Sequence, residues 1–190
     1  NANIASLSIP GQFVKDMAVE LIKKQLHLFV FSDHVPLEDE IYLKKLALEN
    51  NVLFMGPEAG TTILNGTVFG FGNRVRKGSV GIIGASGTGI QESSTLIDLF
   101  GEGISHAIGV GGRDLRNDID GMMTMKAMEI FENDPNTEAV LLVSKPVDYD
   151  VRNKIVNKIN NFSKKNYVLC LVGDNENRED TDKIKFSKSI

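Results

Sequence analysis

A short turn rich in glycine, serine and threonine follows one apolar segment of the chain, and this pattern is typical of an anion site. Residues 80–83 have the apolar character of a buried strand, and the apolar spacing over 87–100 predicts a helix. The turn between them consists of Ser86, Gly87, Thr88 and Gly89. Its backbone amides and the positive end of the helix dipole converge, so we predict that phosphate or another anion binds there.

Two known phosphate-binding patterns do not match this turn. No lysine follows the second glycine, as a Walker A loop requires, and the glycines occur in the order G-x-x-G-x-G rather than in the dinucleotide-binding order. A purely structural interpretation is also open, because Thr88 and Gln91 have the spacing of a helix capping box. The local sequence does not decide between an anion site and a cap.

Three further loops follow predicted strands, which is where ligands bind in open parallel sheets. The loop after 104–110 combines glycines, which permit close backbone approach, with an arginine that can clamp a phosphate or carboxylate. The candidate residues of that loop are Gly111, Gly112 and Arg113. The candidates in the other two loops are Asp33, Pro36, Gly56 and Pro57. A structural turn or a helix cap is an alternative for each loop.

Other residues with reactive groups are assigned structural roles. Asp114, Asp118 and Asp120 precede a predicted helix, where the dipole favours carboxylates, and we predict no metal site. His106 lies inside an apolar strand without a serine or cysteine partner at catalytic spacing, so we interpret it as a core residue. Cys170, the single cysteine, lies in another apolar segment and is interpreted as a buried, inert thiol.

The composition is that of an ordinary, weakly acidic globular protein. Of the 190 residues, 42% are hydrophobic and 24% are charged, and the net charge is -4 at pH 7. This charge argues against nucleic acid or an anionic membrane as the main partner. No apolar segment approaches the ~20 residues that a membrane-spanning helix needs, and no secretory signal pattern is present, so we expect a cytoplasmic protein.

Apolar segments of strand length alternate with segments of helical periodicity. This alternation predicts an α/β fold of βαβ units with parallel sheets and right-handed crossovers. The predicted strands are 4–9, 27–31, 52–55, 80–83, 104–110, 139–143 and 167–172. The predicted helices are 10–24, 37–50, 87–100, 122–131 and 150–162. A basic segment over 73–79 interrupts the pattern and indicates two layers, whereas 174–190 shows no periodicity and is expected to be an interrupted element or a frayed tail.

The helix predicted over 10–24 carries two neighbouring apolar stripes. One stripe consists of Phe13, Met17 and Leu21, and the other of Val14, Ala18 and Ile22. We expect both stripes to face a core.

Longer segments of the chain resemble a known family, that of the succinyl-CoA synthetase alpha subunits. Three segments resemble the later part of its CoA-binding domain: 9–13 (Ile-Pro-Gly-Gln-Phe), 33–36 (Asp-His-Val-Pro) and 55–57 (Met-Gly-Pro). Three others resemble the ligase domain that follows: 79–83, the Ser-Gly-Thr turn and 110–112 (Val-Gly-Gly). The resemblance covers nearly everything from residue 4 to about residue 173.

The wording of other segments looks like one branch of that superfamily, the FdrA family. These segments are 84–92, 103–109 and 112–115 (Gly-Arg-Asp-Leu). The resemblance implies the end of a CoA-binding-type Rossmann domain over 1–77, followed by a flavodoxin-like succinyl-CoA synthetase-type domain over 78–190. It also implies that the helix beginning at Ser86 directs its dipole at a transferred phosphoryl group.

Three departures from the family pattern limit what the resemblance implies. The first strand corresponds to one well inside the family's first domain, so we expect a fragment of a longer protein. The phosphorylated histidine of relatives lies in a Gly-His-Ala-Gly segment after the position of residue 173, and the sequence has no such segment. Lys145 takes the place of the glutamate that orients this histidine, and a cation there favours an anionic substrate. We therefore expect anion recognition without a phosphohistidine.

Two enzymatic functions follow from the resemblance, and both need a site for phosphate oxygens. One joins an acyl phosphate to CoA, and the other transfers a carbamoyl group in allantoin or oxalurate degradation. The implied cofactors are CoA and a nucleoside triphosphate or phosphate. A third interpretation is a noncatalytic scaffold or effector-binding subunit. No catalytic residue is assigned, and we expect a homo- or hetero-oligomer that acts on a small acyl or carbamoyl substrate.

Overall fold

The chain folds into two α/β layers whose strands and helices alternate along the sequence. The computed structural model describes residues 2–172 and 179–190. The strands in these residues are β1 (Ile4–Leu7), β2 (His27–Val30), β3 (Phe54–Met55), β4 (Thr61–Leu64), β5 (Thr67–Gly70), β6 (Lys77–Gly84), β7 (Ile104–Gly109), β8 (Ala139–Ser144), β9 (Asn166–Leu171) and β10 (Ile184–Ser187). The α-helices are α1 (Val14–Lys23), α2 (Leu37–Glu49), α3 (Gly87–Leu99), α4 (Met122–Asn133) and α5 (Tyr149–Phe162).

The first layer is a parallel sheet in the order β1-β2-β3. The central strand β2 is buried on both faces, as its Leu28, Phe29 and Val30 show. Two helices, α1 and α2, connect the consecutive strands, as parallel pairing requires. Their loops bring the carboxyl ends of all three strands to one edge of the sheet.

The second layer is a sheet of seven strands in the order β10-β9-β8-β6-β7-β4-β5. All neighbours are parallel except in the β4–β5 hairpin and where β4 pairs antiparallel with β7. From β6 the chain passes through α3 to β7 on one side, and then through α4 to β8 on the other side. The carboxyl end of β6 is therefore a topological switch point, where open α/β sheets bind their ligands.

One continuous apolar core joins the two layers. Helix α2 of the first layer packs against α4 of the second, and a single cluster of buried side chains includes Leu43, Phe54, Val110 and Met123. This shared core fixes the carboxyl edge of the smaller sheet next to that of the larger one. Ligand-binding loops from both layers consequently meet.

The predicted α/β architecture with parallel sheets is confirmed, and its helices and strands begin and end close to the predicted residues. The β4–β5 hairpin is absent from the predicted strands, none of which lies between residues 55 and 80. Thr61 and Thr62 of β4 are fully buried despite their hydroxyl groups. Their burial shows that β-branched residues were the better guide to this strand than hydrophobicity.

Two other segments differ from the prediction. Strand β6 begins at Lys77, inside the basic segment that was expected to separate the layers. Strand β10 lies in the carboxyl-terminal segment that was expected to be irregular, and residues 174–178 of that segment lie outside the described residues. The hairpin at 61–70 precedes residue 78 yet pairs with the larger sheet, and the division into 1–77 and 78–190 stays a prediction. Among the described helices, none has the length and apolar character needed to cross a bilayer.

Candidate functional site

A narrow crevice lies where the carboxyl ends of β6 and β7 meet the loop that follows β3. Gly84, Ser86 and Gly87 line it from the β6 side, Gly109 and Gly111 from the β7 side, and Glu58, Gly60 and Thr61 from the third loop. Most of these residues are small, so that the backbone forms most of the wall. The free volume inside the crevice is only about 10 Å³, room for one water, so an anion would have to bind at its mouth, where backbone groups can reach it directly.

The Ser86 turn is the start of α3. Ser86 is its N-cap residue, and the Ser86 Oγ accepts a hydrogen bond from the Gly89 amide at 3.2 Å. The first amides of an α-helix have no acceptor within the helix, so those of Gly87 and Thr88 point out of its N-terminus. The Thr88 hydroxyl lies 3.2 Å from Ser86 Oγ. The turn thus gathers amides and hydroxyl groups at the positive end of the helix dipole.

The alternative of a capping box at Thr88 and Gln91 is wrong. The N-cap is Ser86, two residues earlier than that pattern requires. The Gln91 side chain instead donates from Nε2 to Thr61 Oγ1 at 3.0 Å. Gln91 therefore ties α3 to β4 rather than capping the helix.

The glycine loop after β7 contacts two other loops at close range. Gly111 has a φ of +93°, and a Cβ built there would lie 2.6 Å from the Gly56 carbonyl oxygen. A Cβ at Gly112 would lie 3.2 Å from Lys145 Nζ and 3.7 Å from Glu58 Oε2. Lys145 directly follows β8, the other neighbour of β6. The fold thus brings one lysine and one glutamate to the same side of the glycine loop.

Arg113 differs from the other candidate anion-binding residues in its contacts. Its Nε donates to Glu40 Oε2, and its Nη2 donates to the Val35 carbonyl oxygen, both at 2.7 Å. Its side chain is one-third exposed and extends toward α2. Arg113 comes two residues after Gly111, which lines the crevice, but its guanidinium is hydrogen-bonded to residues of the first layer.

A larger cavity of about 770 Å³ opens at the carboxyl edge of the first sheet. It is lined by the loops after β1 and β2, including Asp33, and by Glu58 and Gly60, which also line the crevice. Pro36 lies at the end of the second of these loops and is the N-cap residue of α2. Gly56 and Pro57 are the first residues of the third loop and are buried, and a Cβ at Gly56 would collide with the Val30 carbonyl oxygen. These two residues shape the loop rather than line the cavity.

The reactive side chains assigned to structural roles lie away from the crevice. His106 Nδ1 accepts a hydrogen bond from the Asn65 amide at 3.1 Å, and burial lowers the pKa of the His106 imidazole. Cys170 is buried in β9, and burial raises the pKa of its thiol. Asp114 is fully buried and pairs with Lys44 at 2.8 Å. Asp120 pairs with Lys154 at 2.6 Å, and no cluster of three metal-ligating side chains occurs in the described residues.

Glu58 is the site residue that the sequence reasoning missed. It has a φ of +58°, which is rare for residues other than glycine, and it is exposed where the crevice and the larger cavity meet. Backbone strain of this kind often accompanies functional loops. Its position in a Gly-Pro-Glu-Ala-Gly loop after a predicted strand was the available signal, because that loop had to lie at the carboxyl edge of the sheet.

Comparisons with known proteins agree with this architecture. A family model described as a CoA binding domain matches residues 75–162. The protein YahF of Escherichia coli is 42% identical over 187 residues, which are 98% of this chain and 36% of that protein. The alpha subunit of an ADP-forming succinate–CoA ligase from Aquifex aeolicus is 29% identical over 154 residues, which are 75% of this chain and 47% of that subunit.

Solved structures of related architecture match as well. ATP citrate lyase from Methanothrix soehngenii, in complex with citrate and coenzyme A, has a TM-score of 0.77 at 16% identity, over 91% of this chain and 30% of that one. At this identity the structural match shows the fold alone, and the chain spans less than half the length of the two curated relatives named here.

The range of the family match differs from the domain names that the resemblance implies. Residues 75–162 begin near the start of β6 and lie in the larger sheet. The resemblance implies a ligase-type domain there and places the CoA-binding-type domain earlier in the chain. Both assignments are compatible with a Rossmann-like α/β unit in this part of the chain.

Proposed function

We propose that this chain is part of a subunit that binds phosphate together with an acyl or carbamoyl group, as an FdrA-like protein of the NDP-forming acyl-CoA synthetase superfamily. The observation that carries the proposal is the open N-terminus of α3 at the switch point of the larger sheet. The family match and the ligase subunits among the relatives support the superfamily, and the similarity to YahF is compatible with the FdrA branch.

Several groups must act together for useful phosphate affinity. A helix dipole contributes roughly 0.3–1 kcal/mol to anion binding, whereas a dissociation constant of about 1 mM corresponds to about 4 kcal/mol. In this proposal the amides of Gly87 and Thr88 and the Thr88 hydroxyl donate to phosphate oxygens. Lys145 adds a positive charge from the end of the neighbouring strand, on the side that Gly112 leaves open.

The larger cavity fits one part of CoA. Its apolar Ile9, Pro10 and Phe31 suit a neutral, extended arm such as the pantetheine unit. This cavity is lined by the carboxylates of Asp33 and Glu58 and, among the described residues, by no lysine or arginine, so the CoA phosphates would need donors outside it. At the crevice, by contrast, the Lys145 ammonium lies on the same side of Gly112 as Glu58 and offsets its charge. A CoA bound in this way would bring its thiol end toward Glu58 and Gly60, beside the crevice.

The proposed subunit works without a phosphohistidine. The chain has three histidines, of which His27 and His106 belong to strands and hydrogen-bond to backbone amides through Nδ1. His34 is exposed beside Asp33 in the loop after β2. After incubation with labelled ATP or acyl phosphate, we expect no acid-labile, base-stable label on this chain. Stoichiometric label on His106 would contradict this mechanism and the structural role assigned to that residue.

Two alternatives share part of this site. A carbamoyltransferase subunit in allantoin or oxalurate degradation would use the same phosphate-binding groups. With oxalurate, a phosphate oxygen would attack the carbamoyl carbon, and the C–N bond would break to give carbamoyl phosphate and oxamate, whose nitrogen takes up a proton. A noncatalytic scaffold or effector-binding subunit would keep the fold without the chemistry, and the absent Gly-His-Ala-Gly segment favours it. The retained amide turn favours the two enzymatic functions.

A ligand-stability screen of the full-length protein separates these functions. The melting temperature is measured with CoA, ATP, carbamoyl phosphate and oxamate in turn. A ligand at about one hundred times its dissociation constant stabilises the native state by about 2.7 kcal/mol, which is readily measured. Stabilisation by CoA supports the acyl-CoA synthetase function, and stabilisation by carbamoyl phosphate without CoA supports the carbamoyltransferase. Stabilisation by none of the four would contradict both enzymatic functions.

A further inference from the structure

Four charged side chains form a cluster between the first layer and the glycine loop. Glu40 and Lys44 come from α2, whereas Arg113 and Asp114 directly follow Gly112. The side chains of Glu40, Lys44 and Asp114 have 0% exposure. The two positive and two negative charges balance, so the cluster is formally neutral.

Lys44 lies at the centre of the cluster. Its Nζ lies 2.8 Å from Glu40 Oε1 and donates to Asp114 Oδ1 at 2.8 Å and to the Val110 carbonyl oxygen at 3.0 Å. Val110 and Asp114 stand on either side of the glycine loop. A single ammonium group therefore holds both ends of the segment that contains Gly111 and Gly112.

Asp114 also bonds to the second layer, at the start of α4. Its Oδ2 accepts hydrogen bonds from the Thr124 amide and hydroxyl, both at 2.8 Å, and its Oδ1 accepts one from the Met123 amide at 3.2 Å. These amides belong to the first turn of α4, where a carboxylate is favoured by the helix dipole. The glycine loop is thus held between the side of α2 and the start of α4.

Stability alone does not explain why these buried side chains are charged. Taking charges out of water costs several kcal/mol per ion, and buried ion pairs can often be replaced by apolar side chains without loss of stability. An apolar replacement has no directional bond to a carbonyl oxygen, however. The two glycines carry no side chains that could fix them, and Gly111 already has a positive φ. Directed hydrogen bonds at the ends of the loop supply what its own residues lack.

We propose that Lys44 is a positioning residue for the anion crevice: it holds the backbone of Gly111 and Gly112 in the conformation that forms one wall of the phosphate site. This inference rests on the proposed phosphate-binding function. It assigns the cluster a role in binding rather than in stability alone. Arg113, with its bonds to Glu40 and the Val35 carbonyl, belongs to the same restraint.

The test compares Lys44→Met with Lys45→Met in the full-length protein. Lys45 is the exposed neighbour on the same helix and has the same side chain, so it is the matched control. Inorganic phosphate affinity is measured by titration calorimetry, and hydrogen–deuterium exchange is followed in the peptide that contains Gly111 and Gly112. For Lys44→Met we expect about tenfold weaker phosphate binding and faster exchange confined to this peptide. We expect neither change for Lys45→Met.

A second variant covers the case in which Lys44→Met does not fold, because it leaves buried carboxylates unpaired. The triple variant Glu40→Gln, Lys44→Met, Asp114→Asn removes all the fully buried charges of the cluster. If either folded variant binds phosphate within about twofold of the wild type with unchanged loop exchange, the inference is wrong. If the wild type itself binds no phosphate, the proposed function fails. In that case, faster hydrogen–deuterium exchange of the Gly111–Gly112 peptide in the variants still supports the positioning role of Lys44, and unchanged exchange contradicts it.

Discussion

At the scale of single residues, the shape of the crevice depends on glycines, which have no side chains. A Cβ at Gly87 would lie 3.1 Å from the Gly60 Cα, and one at Gly111 would lie 2.6 Å from the Gly56 carbonyl oxygen. The loops after β3, β6 and β7 approach each other this closely only because glycine occupies these positions. Substitution there tests the site without removing any polar group.

Gly87→Val should weaken phosphate binding about tenfold, because the new side chain pushes the Ser86 turn away from the Gly60 loop. Gly87→Ala should give a smaller loss, since its Cβ needs a shift of only a few tenths of an ångström. Isothermal titration with phosphate measures both. Leu99→Val is the control, as Leu99 is 74% exposed near the other end of α3. Wild-type affinity in Gly87→Val would argue against the crevice as the site.

His106 should make the stability of the protein depend on pH. Burial lowers the pKa of this imidazole below its ordinary value of 6.5, although Asp134 partly opposes the shift. The unfolded chain therefore binds a proton at higher pH than the folded chain. The stability from neutral His106 is present above pH 6.5 and is lost as the pH falls through the folded pKa.

In His106→Gln the free energy of unfolding, measured with urea, should consequently fall less than in the wild type as the pH is lowered from 7.5 to about 5. Part of the slope should persist, because burial also lowers the pKa of His27. His34→Gln is the control, since the His34 side chain is 89% exposed. An unchanged slope in His106→Gln would show that His106 does not contribute.

At the scale of secondary structure, exposure distinguishes apolar stripes that look equivalent in the sequence. Both stripes of the first helix were expected to face a core. Val14, Ala18 and Ile22 are fully buried, but Phe13 and Met17 are 56% and 43% exposed. The expectation for the stripe of Phe13, Met17 and Leu21 was therefore wrong for two of its residues. A single helical face packs on the sheet and α2, and the sequence does not state how wide that face is.

The turn of the β4–β5 hairpin restricts which residues it can contain. Asn65 and Gly66 both have positive φ, at 50° and 81°, which is the signature of a type I′ turn. Gly66→Ala should lower the free energy of unfolding by roughly 1–2 kcal/mol, because an L-residue at this φ is strained. Asn65→Gly should change it by less than about 0.5 kcal/mol. Chemical denaturation of the two variants gives the comparison, and equal effects would contradict this account of the turn.

At the scale of the whole molecule, the crevice contains anion donors but no assigned nucleophile. Proton transfer needs a group of suitable pKa within hydrogen-bond reach of the substrate. On the open side of Gly112, the charged groups within 4 Å of a Cβ built there are the Lys145 ammonium and the Glu58 carboxylate. If the proposed enzymatic function holds, we expect groups from elsewhere in the protein or from a partner subunit to complete the site.

We therefore expect this chain to be inactive alone and the full-length protein to gain activity only with a partner. Formation of acyl-CoA and turnover of carbamoyl phosphate are measured for the chain, for the full-length protein and for its assembly. Several similar proteins are subunits of CoA ligases, which agrees with this expectation. Turnover by the purified chain would contradict it.

The sequence by itself determined the layered α/β fold and the position of the Ser86 turn. Both follow from local signals: apolar segments set the strands, and a small-residue turn between a strand and a helix marks the carboxyl edge. Lys145 directly follows β8, a neighbour of β6, and its role in anion binding, which the resemblance implies, stays a prediction.

Only the tertiary structure decided what the loop residues contact. Arg113 extends to Glu40, which lies 73 positions earlier in the chain, and Lys44 reaches Asp114 across 70 positions. Charged residues on a helix are usually solvated, so the pattern of α2 gave no sign that Glu40 and Lys44 are buried. Their burial depends on the packing of α2 against α4. Long-range pairing of this kind is a property of the assembled layers, and no local pattern encodes it.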